Sequence, residues 1–159
     1  MVFTALTPQT SGNVSCSVKA ISVISKITGA FKNIISITNE EVIFTGGANV
    51  FYDLTYTNFD LNSGKLITLD SIIPENSFAK VEAIGESIFT KMKNISTDQS
   101  LEKASFWFEN KKFALNDNFA VSDSGLIFFY NLYEIAPRSE GTTQLFIPKE
   151  KLNLLTNIY

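Results

Sequence analysis

Along residues 14–27 apolar side chains alternate with serine and lysine, then slip phase at Val23-Ile24. A period of two with one slip predicts a long strand carrying a bulge, and Gly29 is expected to end it. Residues 34–37, 41–44 and 50–59 continue the strand pattern, with Asn39-Glu40 and Gly46-Gly47 read as the breaks between them. Residues 59–67 read as a hairpin, because Gly64 can take the left-handed conformation that a short bulged loop requires.

After Pro74 the period changes. Phe78, Val81, Ile84, Ile88, Phe89 and Met92 recur at helical spacing, and Lys91 and Lys93 fall in the last turn, where they complement the helix dipole. The spacing predicts an amphipathic helix over about residues 77–93, packed by one face on a sheet. Residues 94–102 are polar, and residues 106–108 and 113–115 return to strand character. A second hairpin follows: residues 119–121, a turn at Ser122-Asp123-Ser124-Gly125, and an almost wholly apolar arm over 126–135, which reads as a central strand. Residues 145–147 read as a last strand, and Pro148 suits the first turn of a short C-terminal helix carrying Leu152, Leu155 and Ile158. The fold class expected is therefore α+β: one domain rich in antiparallel sheet, with a main helix and a short C-terminal helix packed on the sheet. Residues 1–13 lack periodicity and read as a flexible arm or linker remnant, leaving 14–159 as the domain.

Composition agrees with a sheet-dominated core. The chain has 159 residues, 45% of them hydrophobic, and fourteen Phe supply large apolar area with few rotamers to lose. A net charge of -3 without a basic cluster argues against nucleic acid as a ligand. No apolar run approaches the ~20 residues that span a bilayer. Cys16 is the single cysteine, so an internal disulfide is excluded, and it reads as a small buried hydrophobe.

The chemistry is conspicuous by what it lacks. Without a single histidine there is no Ser-His or Cys-His nucleophile and no His-based zinc site, and one cysteine cannot make a thiolate site. No catalytic residue, metal or cofactor is expected. Ser77-x-x-Lys80 and Ser100-x-x-Lys103 have the spacing of a serine activated by lysine, but the companion motifs are missing and Ser77 reads better as a helix cap. Glu134 and Glu140 flank Arg138, the only arginine, and paired carboxylates are what a glycosidase uses; the plainer reading is that Glu134 satisfies backbone groups. Gly46-Gly47 lacks the spacing of a phosphate-binding loop.

The segments Phe44-Thr45-Gly46-Gly47-Ala48-Asn49, Asn58-Phe59-Asp60-Leu61 with Gly64-Lys65 and Leu69-Asp70, and Gly125 through Pro137 with Gly141 resemble one known family. That family is the domain of unknown function at the extracytoplasmic C-terminus of the lysozyme-sensing anti-sigma factor RsiV, found also in cell-wall deacetylase-associated proteins and envelope lipoproteins. The resemblance covers residues 31–159, with 14–30 similar to the strand segment that precedes the family core. Two positions depart from it: Asn49 stands where the family often has His, and Arg138 where it often has Tyr.

The resemblance implies an exported bacterial envelope protein with no established enzymatic activity. Membrane attachment, on this reading, would come through sequence upstream of residue 1. The expected function is a non-catalytic extracytoplasmic binding module for a muralytic enzyme such as lysozyme or for a cell-wall glycan. Its candidate surface is Phe44, Thr45, Gly46, Gly47, Asn49, Tyr133, Glu134, Arg138 and Glu140. The alternatives are a small polysaccharide hydrolase using Glu134 and Glu140, and a structural domain that positions an upstream partner.

Overall fold

A computed structural model describes residues 2–5, 20–46, 48–96 and 98–159. The fold is α+β, with two antiparallel sheets. Sheet A is a meander of β1 (Val2–Ala5), β2 (Ala20–Phe31), β3 (Ile34–Phe44) and β4 (Phe51–Asp60) in that order. Next come α1 (Leu69–Ile72), α2 (Glu75–Met92), β5 (Phe119–Val121), β6 (Gly125–Tyr130), β7 (Thr143–Pro148) and α3 (Lys149–Leu152), with sheet B ordered β5-β6-β7. Within the segment expected to be an arm, Val2–Ala5 pair with Ile21 to Ile24 of β2. The predicted strand residues 14–19, Cys16 among them, lie outside the described residues.

Four strand expectations need correction. The bulge in β2 falls between Ile27 and Gly29, beyond Val23-Ile24, and the strand runs on past Gly29 to Phe31. Asn39-Glu40 does not break β3. Both residues stay in the ladder because their polar side chains find cross-strand partners, Ser25 for Asn39 and Lys26 for Glu40. The apolar arm after Gly125 leaves the sheet at Tyr130, since Asn131 turns the chain and Tyr133 takes a positive φ of 65°. Residues 106–108 and 113–115 are not strands. They are irregular chain whose Phe106, Phe113 and Leu115 fill the core as a strand's inner face would.

The hairpin after β4 has the expected chemistry. Gly64 lies at φ 68°, Asp60 N–H donates to the Lys65 carbonyl at 2.9 Å, and the Asp60 carboxylate accepts from the Asn62 and Ser63 amides. These bonds hold its pKa below the ordinary value, with the Ser63 bonds the largest cause.

The main core lies between α2 and one face of sheet B. Leu126, Phe128 and Tyr130 of β6, with Leu145 and Ile147 of β7, face Val81 and Phe89 of α2. Phe89 is ringed by Phe106, Phe108 and Phe113 at centroid distances of 5.0–5.6 Å, two of them edge-on. The buried row of α2 is Ser77, Val81, Gly85 and Phe89; Ser77 is therefore not the expected cap, because the helix starts at Glu75 behind Pro74 and Ser77 falls on its packed face. At Gly85 a Cβ would stand 3.0–3.3 Å from the Phe113 and Leu115 side chains, so the missing side chain lets that loop close on the helix.

Sheet A reaches sheet B through polar side chains. Ser36 and Asn58 are fully or almost fully buried on its inner face. The Ser36 hydroxyl accepts from Val121 N–H at 2.8 Å and lies 3.0 Å from the Val121 carbonyl, while the Asn58 amide donates to Phe119 O at 2.7 Å. Two side chains thus supply the hydrogen bonds that a neighbouring strand would give β5. The outer edge of β4 is closed in the mirror-image way. Leu54 N–H donates to Asn131 Oδ1 and Tyr56 N–H to Asn118 Oδ1, and the Leu54 carbonyl accepts from both asparagine amides, all at 2.7–3.0 Å. Among the described residues no helix is long and apolar enough to cross a membrane.

Candidate functional site

The loop of residues 131–141 leaves β6 and runs beside the first half of β4. Asn131 anchors its start on Leu54, and Arg138 Nη2 donates to the Val50 carbonyl at 3.3 Å near its end. That bond joins the two segments singled out in the sequence, because Val50 directly follows Asn49. Thr45, Gly46 and Asn49 are exposed and Phe44, the last residue of β3, is half-buried; Gly47 lies outside the described residues. Arg138 and Glu140 sit in an exposed single turn of 3-10 helix, where Glu140 N–H donates to the Pro137 carbonyl.

Glu134 is engaged inside the loop. Its Oε2 accepts from Asn131 N–H at 2.7 Å, and its Oε1 accepts from Asn116 Nδ2 at 2.7 Å. This is the plainer of the two readings of that carboxylate. Tyr130 donates to the Ala114 carbonyl at 2.8 Å from within the core, and burial, with Glu134 nearby as a lesser cause, pushes its phenol pKa up. Tyr133, three residues on, is by contrast 60% exposed.

Sequence reasoning missed Trp107. Its indole N–H donates to the Glu134 carbonyl at 3.1 Å and its backbone N–H to the Ile135 carbonyl at 2.8 Å, yet the residue remains 46% exposed. Phe51 and Val50 were missed too, and both are exposed at the start of β4 beside the Arg138 contact. The signal for Trp107 was its being the only tryptophan, set in a polar stretch between two phenylalanines that go inward. No group of His, Cys, Asp and Glu among the described residues could hold a metal ion. Open clefts occur elsewhere, one of about 640 Å³ along α2 between Asp70, Phe78 and Glu82, but no site residue named above lines it.

A family model described as a protein of unknown function, DUF3298, matches residues 70–150, and the chain belongs to this family. Two solved structures are similar to it. A DUF3298 family member from Bacteroides fragilis aligns with a TM-score of 0.72 and 24% identity over 85% of this chain and 53% of its own. A DUF3298 family protein from Pseudomonas aeruginosa aligns at 0.66 and 22% identity, over 85% of this chain and 61% of its own. The chain therefore spans between half and two thirds of the length of these relatives, and the likeness is one of fold. No protein of curated function matches the chain.

Proposed function

We propose that this domain is a non-catalytic binding module of the bacterial cell envelope, working outside the cytoplasm. It holds a protein partner, a muralytic enzyme such as lysozyme, with a cell-wall glycan as the second class of ligand, on the edge formed by residues 48–51 and 131–141. The observation that carries this reading is the Arg138–Val50 hydrogen bond, which sets the one arginine beside exposed Val50 and Phe51. An arginine among exposed aromatics has the composition of the few residues that dominate interface energetics. The hydrolase reading needs Glu134 as a free acid or base, whereas both its oxygens already accept hydrogen bonds.

The test is calorimetric titration of the domain against a panel of lysozymes and soluble peptidoglycan fragments. Arg138→Ala should weaken the partner that binds by about 2 kcal/mol or more. Lys111→Ala should change little, since its pairing with Glu102 at 3.3 Å is on the surface. Equal losses for the two would mean that only diffuse charge matters. Turnover of peptidoglycan by the wild type, abolished by Glu134→Gln or Glu140→Gln, would replace this reading with the hydrolase.

A further inference from the structure

We infer that Glu134 is a positioning residue: it clamps the loop from inside so that Tyr133 and Trp107 are presented to the partner, and it acts through the loop instead of on the partner. This rests on the binding reading above. The residue is held at four atoms, one of them its own N–H, which donates to the Asn131 carbonyl at 3.2 Å. Asn131 N–H and Asn116 Nδ2 each bind one carboxylate oxygen, and the Trp107 indole binds its main-chain carbonyl. Asn116 is itself fixed by a second bond from Nδ2 to the Phe129 carbonyl at 2.8 Å. Its own Oδ1 is buried without a hydrogen-bond partner, so the amide is oriented for the donors it gives to Glu134 and Phe129 while its acceptor goes unmatched.

What the clamp holds has no evident use in the core. Tyr133 sits at φ 65°, a conformation that residues with a Cβ rarely adopt, while the residue is 60% exposed. Trp107 has its N–H turned to the Glu134 carbonyl, so the part of the ring left in solvent carries no unmet donor. The carboxylate fixes the turn at Asn131, and with it the main-chain carbonyl that the Trp107 indole uses and the adjacent Tyr133; a turn so fixed is preorganised, which removes the ordering cost that a mobile loop would impose on binding.

Trp107 is the only tryptophan, so its fluorescence reports on this loop alone. In Glu134→Ala, compared with wild type at a temperature where circular dichroism shows both folded, the emission should shift to longer wavelength and acrylamide quenching should rise about twofold. In the lysozyme and peptidoglycan panel, affinity for lysozyme, the protein partner of the reading above, should fall about tenfold, the equivalent of losing one preorganised contact. Asn116→Ala, which removes one anchor, should move both readouts in the same direction by less, and serves if Glu134→Ala does not fold. Glu134→Gln keeps an acceptor for Asn131 N–H and should recover most of the affinity. Unchanged quenching in Glu134→Ala overturns the clamp. Raised quenching with unchanged affinity overturns its role in presentation, and a loss in Glu134→Gln equal to that in Glu134→Ala means that the carboxylate touches the partner. A wild-type domain that binds neither probe removes the binding reading and the presentation role with it, while quenching still decides whether Glu134 holds the loop.

Discussion

A Cβ placed on Gly29 would stand 2.3 Å from the Val121 carbonyl oxygen, a distance that only movement of backbone can relieve. The chain crosses close there because β2 must pass over β5 for Ser36 to reach Val121. Gly29→Ala should therefore destabilise by about 1–3 kcal/mol in urea unfolding, as overpacking does. An effect near zero would mean that the sheets do not meet at this point. Tyr159 offers a test of a different kind. Its hydroxyl donates to the Ser122 carbonyl at 2.6 Å, and burial raises its pKa from 10.0 to about 12. Because the folded state holds this proton more tightly than the unfolded one, stability is intact below pH 10 and falls as pH rises from 10 to 12. Ultraviolet titration should show this phenol ionising later than an exposed one, and Tyr159→Phe should flatten that part of the stability profile. At this scale Arg138 stood out in the sequence by being the only one of its kind, and Glu134 was legible as a carboxylate that satisfies backbone groups, but not which groups. Its partners lie on Asn116 and Asn131, and no periodicity encodes a side chain that folds back on its own loop.

The main helix was legible because its period persists for 18 residues, but its buried face was read slightly rotated. Counting apolar side chains puts Phe78, Ile84 and Met92 inward; the structure buries Ser77 and Gly85 in line with Val81 and Phe89, leaves Ile84 half-buried and exposes Met92. A missing side chain can define a packing face as firmly as a large one, and hydrophobic patterning does not count it. Phe89 is fully buried either way, so Phe89→Ala should cost about 3–5 kcal/mol in equilibrium denaturation. A loss under about 1 kcal/mol would remove the helix from the core. The strands show the complementary failure: Asn39-Glu40 resembles a turn, yet cross-strand partners keep it in β3. At the junction of the elements, Asn118 accepts from Tyr56 N–H while donating to the Leu54 and Phe129 carbonyls. Asn118→Asp keeps the acceptor but sets a carboxylate against two carbonyl oxygens. It should destabilise by about 2 kcal/mol or more at neutral pH, and recover part of that relative to wild type below about pH 4, where an ordinary aspartate takes up the proton that lets it donate. A loss independent of pH would argue that the carbonyls find other donors.

At the scale of the whole molecule, among the described residues, sheet A shares no strand with sheet B, and the two meet through Ser36, Asn58, Asn118 and Asn131, through a small apolar contact of Leu54, Tyr56, Ala120 and Phe129, and through Ile34, which reaches the main core. Bonds of this kind couple the sheets energetically, so far-ultraviolet and near-ultraviolet circular dichroism should trace one coincident thermal transition, and Asn58→Ala should separate it into two or broaden it. The same asparagines have a bearing on life at high concentration. A sheet border with vacant amides and carbonyls is a template on which a foreign strand can grow, and the usual guards are proline or a projecting lysine. Here the border at Leu54 and Tyr56 carries neither guard within β4; it is already filled by carboxamides that imitate a peptide group atom for atom. Loss of Asn118 or Asn131 would then be felt less as a weaker monomer than as a stickier one, turning a finished border into a seed for fibrils.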